Sequence, residues 1–135
     1  MSILGELKIG DSLDEIQLEP VDRITLIKYA GASGDYNPIH TIDDEAKKAG
    51  LPGIIAHGMW TMGNLSKLFT SYLEEGFIQD YTIRFKGMVF LHDVISLKAE
   101  LAEKMGNKLR FHVQAVNQKG DQVIVGDVIY HQYLD

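Results

Sequence analysis

The sequence predicts an α+β fold in which a curved antiparallel β-sheet wraps one long central helix. Three observations support this prediction. The length of 135 residues suits one domain with its own core, so a single domain is expected to span residues 1–135. Apolar side chains recur every three or four residues between positions 59 and 73. After Gly76 the apolar period changes to two, which is typical of strands that bury one face.

The predicted central helix covers residues 59–73. Its only charged side chain is that of Lys67, and apolar side chains lie on both of its sides. A helix that is apolar nearly all round is expected to be enclosed by other structure. Gly76 follows it and is a candidate for a left-handed cap.

The strands are predicted to follow one another after this helix. Alternating segments cover residues 81–85, 95–101 and 109–115, and turn-forming residues occupy 105–107 and 118–121. A last strand, 122–133, is apolar on both faces around Gly126, which indicates a bulge or a second contact surface. A further short strand is possible at residues 16–19. Consecutive strands around a buried helix are typical of a hotdog-like α+β arrangement, although the periodicity by itself gives only a helix enclosed by a sheet.

Composition excludes several functional classes. The chain has no cysteine, so disulfides, thiol nucleophiles, cysteine-based zinc sites and iron–sulfur clusters are ruled out. The formal net charge of −6 opposes binding to nucleic acid, whose phosphates are neutralised by Lys and Arg. No apolar run at the N-terminus is long enough for a signal peptide or a membrane span, so a cytoplasmic protein without membrane contact is expected.

The candidate chemistry begins with Asp35 and His40. A separation of five residues places two side chains apart on a helix and on opposite faces of a strand, so only a shaped loop lets them meet. Gly34 and Pro38 favour such a loop, and residues 29–40 are predicted as a turn region. The structural alternative is an ordinary turn, in which the aspartate caps the next helix.

The second candidate is Gly58, at the start of the predicted helix. Its backbone N–H lies among the unpaired donors at the positive end, which stabilise an anion. Tight packing between helix and sheet explains a glycine there equally well. His57 is interpreted as structural. A metal site formed by His40, Asp43, Asp44 and Glu45 fits no familiar ligand spacing, so no metal is predicted.

Two motifs carry a resemblance to a known family. Residues 34–40 read Gly-Asp-Tyr-Asn-Pro-Ile-His, Ala46 follows after five residues, and residues 56–59 read Ala-His-Gly-Met. This pattern resembles the MaoC-like hydratases, also called hydratase 2 or (R)-specific enoyl-CoA hydratases, and is similar to the mycobacterial (3R)-hydroxyacyl-ACP dehydratase subunits. The resemblance is strong over residues 21–89. It implies a hotdog fold, usually dimeric, that acts on acyl thioesters.

The resemblance also implies roles for individual residues. Asp35 and His40 would hold the catalytic water, and the Gly58 N–H would bind the thioester oxygen. Asn37 would brace the loop. Ser66 would support the active-site hydrogen bonds, although a serine that bonds to its own helix is the alternative. Trp60 occupies a position where smaller aliphatic residues are common, which leaves the accepted acyl length open.

The reaction implied is the (R)-specific hydration of trans-2-enoyl thioesters to (R)-3-hydroxyacyl thioesters, and the reverse dehydration, in fatty-acid metabolism. It needs no cofactor, since coenzyme A or the phosphopantetheine of an acyl carrier protein enters with the substrate. The alternatives are a hotdog acyl-CoA thioesterase and a non-catalytic acyl-thioester-binding subunit. A homodimer is expected, and a heterodimer is possible. The candidates for carrier binding are basic residues: Lys47, Lys48, Arg84 and Lys86.

Overall fold

The computed structural model describes residues 3–133. The α-helices are α1 (Arg23–Ser33), α2 (Asp43–Lys48) and α3 (Gly58–Leu65), and the strands are β1 (Ile16–Gln17), β2 (Gly76–Phe85), β3 (Ser96–Met105), β4 (Lys108–Val116) and β5 (Gln122–Gln132). Short 3₁₀ helices occupy Leu4–Glu6, Pro38–His40 and Ser66–Tyr72. No helix within residues 3–133 has the length and apolar character needed to cross a membrane.

All five strands form one antiparallel sheet in the order β1-β3-β4-β5-β2. β2 precedes β3 in the chain but pairs with β5, so it lies at the opposite end of the sheet from β1. Register shifts occur in the β2–β5, β3–β4 and β4–β5 pairs. Such irregularities bend strands and increase their twist, which gives the sheet its curvature.

The strand predictions are confirmed at all five positions, including the short strand β1. Gly106 and Gly120 adopt positive φ in the two predicted turns. The bulge suggested at Gly126 is wrong, because the register of β5 is continuous there with both neighbours. A Cβ on Gly126 would lie 2.2 Å from the carbonyl oxygen of Thr82. The glycine is therefore required by the close approach of β2.

The predicted central helix is divided. α3 is followed directly by the 3₁₀ helix Ser66–Tyr72. Near the junction, the Asn64 side chain donates to the Trp60 carbonyl at 2.9 Å, and Ser66 Oγ donates to the Gly63 carbonyl at 2.6 Å. Polar side chains that bond to carbonyls one turn back perturb a regular α-helix. The period of apolar residues does not separate α from 3₁₀ over so short a segment.

The central helical segment is enclosed on one side only. Leu65, Leu68 and Phe69 are buried in the core, and the Phe69 ring packs edge-on against Phe111 of β4 at 5.2 Å. Met59 remains 57% exposed. In a single chain the sheet therefore covers one side of the central segment and leaves the other side open.

Two expectations about glycines and loops are also corrected. Gly76 does not cap the helical segment; it is buried as the first residue of β2, where a Cβ would lie 2.1 Å from the His131 carbonyl oxygen. The turn region predicted at 29–40 is helical through Ser33, because α1 extends to that residue. Gly34 then ends α1 with φ of 75°.

Candidate active site

Asp35 and His40 are presented by a short loop between α1 and the 3₁₀ helix Pro38–His40. Asp35 Oδ1 accepts a hydrogen bond from the Asn37 N–H at 3.2 Å, and Asn37 Oδ1 accepts one from the Ile39 N–H at 3.2 Å. Asn37 therefore caps the 3₁₀ helix, and the aspartate turns the chain without capping α2. These two bonds define the path of the chain between the two candidate residues.

The His40 ring is oriented by the main chain. Its Nδ1 lies 2.8 Å from the Ile55 carbonyl oxygen. Because a carbonyl only accepts, Nδ1 carries the hydrogen, and in the neutral ring Nε2 holds a lone pair. Nε2 lies 3.9 Å from Asp35 Oδ2. His40 is buried, whereas the Asp35 side chain is 52% exposed, so the pair joins the interior to the surface.

His57 belongs to the same cluster, although the sequence favoured a structural role for it. Its ring stacks on that of His40, with centroids 3.8 Å apart and planes 21° apart. Its Nε2 lies 3.1 Å from the Asp35 carbonyl oxygen. The partners are 17 and 22 residues away in the sequence, so no local spacing reveals these contacts. The sequence signal for His57 is its place in the Ala-His-Gly-Met motif of residues 56–59, next to Gly58.

Asp35, His40 and His57 each offer a ligand atom within 4.8 Å of the others. A metal ion binds imidazole in the plane of the ring, along the nitrogen lone pair. Two rings stacked at 3.8 Å and tilted by only 21° do not direct their lone pairs to one point. The arrangement therefore does not suit a shared metal ion without movement of a ring.

Gly58 is the first residue of α3 and lines a groove of about 610 Å³. The first N–H groups of a helix lack partners within the helix and lie at its positive end. A Cβ on Gly58 would lie 2.7 Å from the Phe85 ring. Close packing alone thus accounts for the glycine, and the helix start adds a donor beside the cluster. The other residues that line the groove are Tyr29, Ser33, Asp35, His57, Met59 and Phe85.

Two further candidates are placed elsewhere. The Ser66 hydroxyl donates to the Gly63 carbonyl, so this serine bonds to its own helix, which was the alternative to a role in the site. Its hydroxyl is not hydrogen-bonded to Asp35 or His40. Trp60 lines a separate groove of about 400 Å³, together with Asp22 and Lys67. It is not among the residues that line the groove at Gly58.

The four basic candidates lie on two elements. Lys47 and Lys48 are exposed in the last turn of α2, which packs against the 3₁₀ helix of His40, and Lys48 Nζ lies 3.4 Å from Glu45. Arg84 alternates to the face of β2 opposite that of Phe85, so it points away from the groove. Lys86 follows directly after β2 and is exposed.

Comparison with known proteins gives consistent matches. Residues 6–127 match the family model described as MaoC like domain. The fatty acid synthase beta subunit TOXC of Cochliobolus carbonum is 36% identical over 103 residues, which are 73% of this chain and 5% of that protein. The 3-hydroxybutyryl-CoA dehydratase of Methylorubrum extorquens is 28% identical over 122 residues, which are 89% of this chain and 76% of that protein.

Solved structures show the same architecture. The unliganded R-hydratase PhaJ1 from Pseudomonas aeruginosa superimposes with a TM-score of 0.87 at 27% identity. The match covers 97% of this chain and 85% of that one. The (R)-hydratase from A. caviae, at 19% identity and a TM-score of 0.85, agrees in fold.

Proposed function

Because the chain belongs to the MaoC-like domain family and has the hotdog fold, we propose that it catalyses the reversible hydration of trans-2-enoyl thioesters. The product is a 3-hydroxyacyl thioester of (R) configuration, and the reverse reaction is dehydration. Two similar proteins support this proposal by their names, one as a dehydratase of 3-hydroxybutyryl-CoA and one as an R-hydratase.

The observation that carries the proposal is the gap between Asp35 Oδ2 and His40 Nε2. At 3.9 Å the two atoms are too far apart for a direct hydrogen bond. One water oxygen at about 2.8 Å from each atom bridges such a gap comfortably. Because Nδ1 of His40 is committed to the Ile55 carbonyl, the Nε2 lone pair is free to accept a proton from that water.

Addition of water to the enoyl group places negative charge on the thioester oxygen, and this charge needs a fixed donor. The Gly58 N–H at the start of α3 is suited to that role, because it lies in the same groove as Asp35. A donor aimed at a developing oxyanion is typically worth about 10²- to 10³-fold in rate.

The reaction balances without any other group. The water oxygen bonds to C3, and one water proton passes to the Asp35–His40 pair. The π electrons of the C2–C3 double bond move towards the thioester oxygen, and when the carbonyl reforms the pair returns a proton to C2, so that one water molecule has been added across the double bond. The groove thus needs no resident cofactor for this reaction, and the carrier, coenzyme A or the phosphopantetheine arm of an acyl carrier protein, enters as part of the substrate.

The test uses purified protein and crotonyl-CoA. We expect the absorbance of the conjugated enoyl thioester to fall without release of free thiol, and chiral analysis to identify (R)-3-hydroxybutyryl-CoA. Asp35→Asn and His40→Gln are each expected to lower kcat by about 10²- to 10⁴-fold, because each removes part of the water-holding pair. Their melting temperatures should stay close to that of the parent protein.

Matched controls are Asp44→Asn on α2 and His112→Gln on β4, which make the same chemical changes at exposed positions. Both should keep the parent kcat. Release of free thiol would instead identify a thioesterase, and absence of any reaction with CoA and carrier-protein thioesters would identify a binding subunit. An Asp35→Asn variant as active as the parent would refute the assigned role of that residue.

A further inference from the structure

His57 is a buried polar residue that the proposed reaction does not use. It is 2% exposed and precedes Gly58, where it is the N-cap residue of α3 without a capping bond from its side chain. A histidine is therefore not needed at this position to begin the helix. Its contacts point instead to the two residues that hold the water.

The first contact is with His40. The two imidazole rings are nearly parallel at a centroid distance of 3.8 Å, and the Tyr29 ring meets His57 edge-on at 4.8 Å. The flat ring of His57 therefore restricts rotation of the His40 ring about its own side-chain bonds. Together with the bond from His40 Nδ1 to the Ile55 carbonyl, this contact determines where Nε2 points.

The second contact is with Asp35. His57 Nε2 lies 3.1 Å from the Asp35 carbonyl oxygen, so it is the donor, since a carbonyl only accepts. The Asp35 carboxylate is 52% exposed, and its own bond is to the Asn37 N–H in the same loop. The link from His57 thus joins this loop to the start of α3, across 22 residues of sequence.

The third observation is an unfavourable one. With Nε2 acting as donor, Nδ1 of neutral His57 is an acceptor, and it is buried without a hydrogen-bond partner among residues 3–133. A buried polar atom without a partner lowers stability. An apolar ring of similar shape would avoid that loss, so stability alone does not account for a histidine here.

We infer that His57 is a positioning residue for Asp35 and His40. It holds Asp35 by a hydrogen bond to the main-chain carbonyl and His40 by ring stacking, and so aligns the two side chains. The inference rests on the proposed function, because it assigns His57 to the residues that hold the water. Because one rigid ring contacts both Asp35 and His40, it fixes the distance between them more closely than two separate neighbouring residues would. Misplacement of reacting groups by about 1 Å costs roughly 10²-fold in rate.

The test compares His57→Phe with His57→Gln. The phenylalanine keeps a flat ring against His40 but removes the donor to Asp35 and the unpartnered Nδ1. We expect kcat for crotonyl-CoA hydration to fall about 10- to 100-fold while KM changes by less than about 3-fold. The melting temperature should equal or exceed that of the parent. A residue with only a structural role would not lower kcat in a variant of undiminished stability.

The glutamine supplies an amide donor in place of Nε2 but has no ring. It should recover part of the lost kcat relative to phenylalanine, and a glutamine variant no more active than the phenylalanine variant would overturn the assigned hydrogen bond. A phenylalanine variant with the parent kcat, or a loss confined to KM, would overturn the inference as a whole.

His131→Gln is the matched control. His131 on β5 also has a buried Nδ1 without a partner and stacks on an aromatic ring, that of Phe77 at 5.1 Å. Phe77 lies eight residues along β2 from Phe85 at the groove, a strand length of about 27 Å. We expect His131→Gln to keep the parent kcat.

The two proposals fail separately. If the parent does not hydrate any enoyl thioester, the proposed function fails, and crystal structures of the parent and both His57 variants decide the inference. A separation of Asp35 Oδ2 and His40 Nε2 that stays within about 0.5 Å of the parent value in His57→Phe would overturn it. A change of more than about 0.5 Å in that separation would support it.

Discussion

At the scale of single residues, the site is held together by hydrogen bonds and a ring contact, whose partners lie at different distances along the sequence. The bonds of Asp35 and Asn37 reach two residues along the chain, which is the behaviour expected of Asp and Asn in turns. Residue types alone predict such a loop. The contacts of His57 bridge 17 and 22 residues, and only the folded chain creates them.

One residue-scale prediction concerns Gly58. In Gly58→Ala the new Cβ would meet the Phe85 ring at 2.7 Å, so the ring or the helix start must move. We expect a lower melting temperature, and we expect Phe85→Leu in the same chain to recover most of the loss. A double-mutant cycle monitored by urea unfolding should show a coupling of about 0.5 kcal/mol or more.

The control for this prediction is Gly63→Ala in the same helix. A Cβ at Gly63 meets nothing within 4 Å, so alanine should stabilise the protein by about 0.5–1 kcal/mol through helix propensity. Strict additivity of Gly58→Ala and Phe85→Leu would contradict the packing explanation for the glycine.

At the scale of elements, two tyrosines fasten the sheet to the central helical segment. Tyr81 on β2 donates from its hydroxyl to the Met62 carbonyl at 2.5 Å, and Tyr130 on β5 donates to the Tyr72 carbonyl. Both tyrosines come from strands at one end of the sheet, next to each other in the order β5-β2. The helical segment is therefore held at both of its halves by hydroxyl groups of neighbouring strands.

These phenols predict a loss of stability in alkaline solution. Burial raises the pKa of Tyr81 above its usual range, and burial, with smaller contributions from Glu75 and Tyr133, raises the pKa of Tyr130 to about 12. In the unfolded chain a phenol loses its proton near pH 10. The stability that the folded phenols contribute is thus complete below about pH 10 and declines as the pH rises towards 12.

Urea unfolding at a series of pH values from 8 to 11.5 measures this decline. Tyr81→Phe and Tyr130→Phe should each be less stable than the parent at pH 8, by about 1 kcal/mol for the lost hydrogen bond, and should lose less stability above pH 10. Tyr36→Phe, which changes a tyrosine that is 71% exposed, is the control. An unchanged alkaline slope in both core variants would contradict the prediction.

At the scale of the whole molecule, the groove lies on an open side of the chain. Met59, Phe85 and Met88 are each more than half exposed there, although their side chains are apolar. Exposed apolar side chains gathered at one site are typical of a surface that another molecule covers. A second copy of the chain on this side would also narrow the groove around an acyl group.

We therefore expect a homodimer. Light scattering after size exclusion should give twice the chain mass of 15.1 kDa at micromolar concentration. Met88→Glu places a charge on the open side and should raise the dimer dissociation constant, whereas Ile9→Glu, at another exposed apolar position, should not. A monomer of full hydratase activity would contradict this expectation, and a stable complex with a different chain would favour a heterodimer.

The charge of the whole molecule leads to a prediction about the carrier. If the proposed function holds, a protein with a net charge of −6 needs a local basic surface to attract the phosphates of coenzyme A or an acidic carrier protein. Reversal of Lys47 and Lys48 to glutamate should raise KM several-fold and leave kcat within about 2-fold. Lys98 and Lys104 of β3, reversed together, provide the control. An unchanged KM for both carriers would show that these two lysines do not bind the carrier.

The division of the central helical segment shows a feature that the local sequence pattern does not predict. Positions 59–73 carry an apolar period that both an α-helix and a short 3₁₀ continuation satisfy. The strands could be predicted because apolar and polar side chains alternate along a strand whichever neighbouring strand it pairs with. The place of β2 beside β5 was not, because partner choice depends on how the whole sheet curves around the helix.

The sequence by itself determined the strand set, the Asp35–His40 loop and the family resemblance, because each depends on residue types within a few positions. Tertiary structure decided that His57 contacts both Asp35 and His40, that Ser66 bonds to its own helix, and that one side of the central segment stays open. The physical reason is range: turn and strand preferences act between near neighbours, whereas ring stacking and burial depend on segments that meet only when the chain has folded.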